Sequence, residues 1–189
     1  MVTLRREALD PEIREAVRDL PDFVFSTETV PMMRQNAPFA PVPAPDIERT
    51  ELTTDPNGGV ALTLLYPRDA AGELPALYWM HGGGTVIGNR FMDNARLNEW
   101  CRLLSCACVS VEYRLAPEAP YPLPLDDCDN GLRYIVDHAA DLRLDPRRIG
   151  SADAAPEDCW PPLSGCVGGT RSSRVWDSHT SNTRCSMTG

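Results

Sequence analysis

The run His81-Gly82-Gly83-Gly84 follows directly on the apolar segment Ala76-Leu77-Tyr78-Trp79-Met80. Glycine has no Cβ, so three in succession let the backbone turn its N–H groups toward one point. Donors that converge in this way can hold the negative oxygen that develops when an acyl carbon is attacked. The plainer reading is a glycine turn that ends a strand. An oxyanion site also needs a nucleophile and a base, and the remaining polar residues are the candidates for those roles. Asp126 and Asp127 are adjacent carboxylates, but neighbours at a helix start point in different directions. Acidic side chains there meet the helix dipole favourably, and capping is the simpler reading. His138, between Asp137 and Asp141, reads as a solvated residue at a helix end. His179 stands in a tail with Cys159, Cys166 and Cys185, whose spacing fits no zinc site. No metal and no cofactor is expected.

These residues need a scaffold, and 189 residues suffice for one domain with a real core. The formal charge of −9 argues against nucleic acid as a partner, since phosphate binding needs a basic surface. No apolar run reaches the roughly 20 residues that span a bilayer. Arg5, Arg6, Glu7 and Asp10 interrupt the start of the chain, so no secretory leader is expected and the cytoplasm is the expected location. Cys101, Cys106 and Cys108 fall in or beside apolar segments and read as buried free thiols. No pattern specifies an oligomeric state.

Asp10-Pro11-Glu12 opens a helix that the spacing of Ile13, Ala16, Val17 and Leu20 extends. Residues 21–45 are proline-rich and read as an irregular arm over the rest. Strands are expected at Ile47 to Thr54 and Val60 to Tyr66, around the turn Asp55-Pro56-Asn57-Gly58-Gly59. A buried strand from Leu74 to Met80 leads into the glycines. A helix over Met92 to Leu104, a strand over Cys106 to Tyr113 and a helix over Leu123 to Ala139 follow. Arg148-Ile149-Gly150 opens one further strand. This alternation predicts an α/β fold with a partial, mostly parallel sheet, helices on its faces and an N-terminal cap arm.

Three motifs stand in order: Trp79-Met80-His81-Gly82-Gly83-Gly84, then Ser110-Val111-Glu112-Tyr113-Arg114-Leu115-Ala116-Pro117-Glu118, then Tyr121-Pro122-Leu123-Pro124 with Asp126-Asp127. Together they resemble the hormone-sensitive-lipase-like branch of the α/β-hydrolases, the fold-3 carboxylesterases. The resemblance runs over roughly residues 10–150. It implies hydrolysis of short acyl esters, small molecules, through an acyl-serine. It also implies that Gly82, Gly83 and Gly84 are oxyanion donors and that His81 positions the loop and is not the base. Tyr113, Arg114 and Glu118 become a loop that braces the turn. Phe23, Phe25, Met32 and Met33 become candidates for the lining of an acyl pocket.

The resemblance breaks after Arg148-Ile149-Gly150. The family's serine sits on a Gly-x-Ser-x-Gly elbow after that strand, and the chain contains no such sequence; after Gly150-Ser151, Asp153 stands where the closing glycine belongs. The later acid and histidine are likewise missing, so no catalytic residue is assigned. Residues 151–189 lack sustained periodicity and read as an aberrant, disordered tail after a cap arm over 1–45 and a partial core over 46–150. Read from the third base of each codon, the junctions from Ala154 to Ser164 can spell Ser-Ala-Gly-Gly-Leu-Leu-Ala-Ala-Ala-Val. The junction of Ala152 with Asp153 permits a glycine before them. In the same frame, Asn182 to Gly189 can spell Tyr-Pro-Met-Leu-Asp-Asp-Arg. A one-frame slip near codon 150 is expected, and with it a truncated hydrolase without turnover. The competing expectation is a non-catalytic binding fragment.

Overall fold

The computed structural model describes residues 10–16, 18, 26, 28–36 and 39–154. Phe23, Phe25, the end of the first expected helix and the tail from residue 155 lie outside the described residues.

Among the described residues, five strands form one sheet: β1 (Ile47–Thr53), β2 (Ala61–Pro67), β3 (Leu74–Met80), β4 (Ala107–Glu112) and β5 (Leu144–Asp153), in the order β1-β2-β4-β3-β5. The expected parallel sheet is found in the half β4-β3-β5, where both pairings are parallel. The half β1-β2-β4 is antiparallel, so the sheet is mixed. A short turn joins β1 to β2, and a connection that short permits only antiparallel pairing.

Period-two alternation sorts the core onto two faces. Leu62, Leu64, Tyr66, Ala76, Tyr78, Val109 and Val111 meet Cys128, Leu132 and Ile135 of helix α4 (Leu123–Asp137). On the opposite face Leu65, Leu77, Trp79 and Cys108 meet Leu97 and Cys101 of helix α3 (Asn94–Leu104). The two crossovers run in opposite directions across the sheet, from β3 to β4 and from β4 back past β3 to β5. Right-handed crossovers then deliver their helices to opposite faces.

Two short helices precede the sheet. Helix α1 (Pro11–Ala16) starts where Asp10 caps it, its Oδ1 accepting from Glu12 N at 3.0 Å. Helix α2 (Thr29–Asn36) lies inside the segment expected to be irregular. Its start is a reciprocal cap: Ser26 N donates to Thr29 Oγ1 at 2.9 Å, and Thr29 N donates to Ser26 Oγ at 3.1 Å. Pro31 falls in the first turn, where its missing N–H costs nothing.

Candidate active site

In an open α/β sheet, ligands bind outside the carboxyl ends of the strands where successive crossovers diverge to opposite faces. Here that point lies between the ends of β3 and β4. The loop after β3 carries His81 to Gly84, and the loop after β4 carries Tyr113 to Glu118. Backbone bonds tie the loops together, Ala116 N donating to Thr85 O at 2.8 Å.

The glycine turn has a left-handed run: φ is +109° at Gly83, +61° at Gly84 and +61° at Thr85. Gly83 is required by space as well, since a Cβ there would stand 2.0 Å from Ile87 O. The turn closes through Val86 N and Ile87 N, which both donate to Gly83 O at 3.1 Å. Among the described residues, the N–H groups of Gly82, Gly83 and Gly84 have no hydrogen-bond acceptor. Gly82 is buried, Gly83 half-buried and Gly84 exposed, so the row of donors leads from the protein interior to solvent.

His81 is buried, 1% exposed. Its Nδ1 lies 2.8 Å from Gly82 O, and a carbonyl only accepts, so Nδ1 carries the proton. The Tyr113 hydroxyl donates to His81 O at 2.6 Å, and the two rings stack at 4.1 Å and 11°. Burial depresses the imidazole pKa, against the pull of the Gly82 carbonyl, and the ring is neutral. Nε2 is buried with no partner among the described residues. Burial likewise pushes the Tyr113 phenol well up, so it stays protonated as a donor.

The second motif holds itself rigid through ion pairs. Asp127 is buried and accepts from Arg114 N at 2.9 Å, Nε at 2.7 Å and Nη2 at 2.7 Å. This corrects the expectation that Asp126 and Asp127 both cap α4: Asp126 is exposed in the first turn, while Asp127 fixes the loop after β4. Glu118 meets Arg34 of α2, with Oε1 2.8 Å from Nη1. Arg34 also donates from Nε to Val86 O at 2.8 Å and from Nη2 to Ala116 O at 2.7 Å. Sequence reasoning missed Arg34 altogether.

The remaining candidates lie apart from the turn. His138 is exposed, with Nδ1 2.9 Å from Tyr134 O and its ring stacked on Tyr134 at 4.1 Å. Met32 is 62% exposed on α2, and Met33 is half-buried. Cys101, Cys106, Cys108 and Cys128 are free and buried. Among the described residues no group of three or more His, Cys, Asp or Glu could hold a metal ion, and no helix is long and apolar enough to cross a membrane. Ser151 stands within β5, paired in register with Tyr78, and the strand runs on to Asp153 opposite Met80. No turn follows Ser151 directly.

The layered mixed sheet and the glycine turn at its switch point define an α/β hydrolase, and residues 77–152 match the α/β hydrolase fold family. An AB hydrolase superfamily protein of Schizosaccharomyces pombe is 32% identical over 159 residues, covering 76% of this chain and 47% of that protein. Carboxylesterase NlhH of Mycobacterium tuberculosis is 28% identical over 155 residues, covering 79% of this chain and 49% of that protein. A solved bacterial heroin esterase has a TM-score of 0.65 at 35% identity, covering 78% of this chain and 49% of that one. Over its N-terminal part the chain belongs to the fold-3 family of α/β-hydrolases that contains these carboxylesterases. It spans about half the length of the relatives it matches.

Proposed function

We propose that the chain carries the oxyanion half of a serine-esterase site and does not itself turn over esters. Gly82, Gly83 and Gly84 are the donors to the oxygen of a short acyl ester, and His81 positions their turn. The observation that carries this reading is the row of three N–H groups without acceptors among the described residues, at the carboxyl end of β3. His81 is too buried, and its ring too firmly held by Gly82 and Tyr113, to exchange a proton with substrate.

The missing nucleophile is the reason for inactivity. An oxyanion hole without nucleophile and base keeps only a small part of the rate, since the covalent route is closed. The proposed frame slip accounts for the loss, and the family match ends at residue 152, where it would act. The genetic code supports it further: in the alternative frame the junctions Asp158-Cys159, Cys159-Trp160 and Trp160-Pro161 can encode only Leu, Leu and Ala. Those follow the possible Ser-Ala-Gly-Gly, as the apolar start of a helix after an elbow would.

Two measurements test the proposal. The purified chain should hydrolyse a short-chain chromogenic ester no faster than buffer; turnover abolished by a serine-directed phosphonate would overturn it. Sequencing the gene across codons 145–190 should reveal the serine elbow in the shifted frame, and its absence removes the slip. One observation favours a non-catalytic binding fragment instead: among the described residues β5 lies at the edge of the sheet, and its residues from Pro146 onward are exposed or half-buried. Specific binding through that edge requires a soluble monomer with a cooperative melt, which light scattering and calorimetry would show.

A further inference from the structure

Among the described residues of the N-terminal arm, Arg34 hydrogen-bonds to the loops that carry the glycine turn. Arg34, on α2, reaches the backbone on both sides of the bond that joins the two loops of the site. Its Nε donates to Val86 O at 2.8 Å, one residue beyond Thr85. Its Nη2 donates to Ala116 O at 2.7 Å, on the residue whose N–H donates to Thr85 O. Glu118 completes the arrangement, its Oε1 2.8 Å from Nη1 and its Oε2 3.0 Å from Nη2. The planar fork of a guanidinium can serve these acceptors together, whereas an ammonium is a single compact charge.

The turn needs such a grip. Thr85 has a φ of +61°, the left-handed region that a β-branched residue avoids. That conformation is costly for a β-branched residue and persists only where the surroundings impose it. A rotation of Thr85 to negative φ would swing Val86 and the rest of the loop relative to Gly82, Gly83 and Gly84. The carbonyl of Val86 and the carbonyl of Ala116 are the handles that prevent this rotation.

We infer that Arg34 is a positioning residue that locks the strained Gly83-Gly84-Thr85 turn and so holds the N–H groups of Gly82 to Gly84 in place at the carboxyl end of β3. The functional meaning of this lock rests on reading those groups as oxyanion donors. On this view α2 is part of the site's framework, and the arm does more than cover it. Glu118 orients the guanidinium, while the two carbonyl contacts carry the restraint.

The test uses the full chain and amide hydrogen exchange read by NMR, with acetate as the anion probe. In Arg34→Met, exchange at Val86, Ile87 and Ala116 should rise about tenfold, the size of losing a charge-assisted hydrogen bond. Exchange at Val109 and Val111 in β4 should stay as in the unchanged chain. Arg34→Lys should fail to restore protection, whereas Glu118→Gln, which leaves both carbonyl contacts, should retain most of it. Unchanged exchange at Val86 and Ile87 in Arg34→Met overturns the inference. So does equal acceleration throughout β4, or full rescue by lysine. Acetate separates the two readings: it should shift the amide resonances of Gly82 to Gly84 saturably in the unchanged chain and not in Arg34→Met. No shift in the unchanged chain defeats the oxyanion reading alone, and a shift retained in Arg34→Met defeats the positioning role alone.

Discussion

At the scale of single residues, the site is held by side chains that bond to backbone. The Tyr113 hydroxyl is the case with the clearest energetic consequence, because its acceptor, His81 O, belongs to a residue that is 1% exposed. Tyr113→Phe keeps the ring stacked on His81 and removes the donor. A buried acceptor left without its partner costs about 1–3 kcal/mol, so the urea midpoint should fall accordingly. An unchanged midpoint would mean that the hydroxyl contributes nothing there. For these residues the resemblance to the esterase family implies a positioning role for His81 and a bracing loop from Tyr113 to Glu118. The partners were not legible in the sequence. Arg114 and Asp127 are 13 residues apart across a proline-rich loop, and Arg34 lies 52 residues from Val86 and 82 from Ala116. Helical and strand periodicities report neighbours within a turn or two, and contacts at such separations leave no mark on them.

Among the elements, α4 shows why the sheet and its helix fit only one way. A Cβ added to Gly131 would stand 2.3 Å from the Tyr78 hydroxyl, which donates to Cys128 O at 2.9 Å. Glycine here lets the helix approach β3 closely enough for that bond. Gly131→Ala must push α4 away or break the bond, and overpacking of this kind costs about 1–3 kcal/mol even though alanine favours helix. Thermal unfolding should show a lower melting temperature, and an equal or higher one would mean that α4 accommodates the methyl group. Elements with strong apolar patterns were legible to within a residue or two: β1, β3, β4, α3 and α4 all lie where their spacing places them. Helix α2 was not, since Thr29–Asn36 has only Val30 buried and carries a proline in its first turn. Its legible signal was the cap formed by Ser26 and Thr29, hidden among prolines. Strand β5 begins earlier than Arg148, because residues 145–148 bulge between the registered pairs Leu74–Leu144 and Ala76–Ile149.

For the whole molecule, protonation couples the site to stability. His81, Asp46 and Asp145 are among the groups with folded pKa values below their ordinary ones, and each therefore stabilises the fold above its ordinary pKa and loses that contribution as pH falls. His81, with an ordinary value of 6.5, is depressed by burial, so the unfolded chain takes up a proton there first. Stability should begin to fall below about pH 6.5, before any carboxylate titrates. A second decline belongs between about 4 and 2. Asp46 is held down to about 2 chiefly by Arg102, and Asp145 to about 2 by the backbone N–H of Arg147 and then by Arg148. The two declines have different sources and can be separated. His81→Asn keeps a polar side chain beside Gly82 and removes the titrating ring, so urea midpoints measured from pH 7.5 to 4.5 should become flat while the decline below pH 4 remains. Arg102→Met should do the reverse: the upper step stays, and the loss below pH 4 shrinks because Asp46 returns toward its ordinary value of 3.8. If His81→Asn leaves the upper slope intact, the histidine is not held neutral in the folded chain, and the rigid, proton-inert support assigned to the glycine turn fails with it.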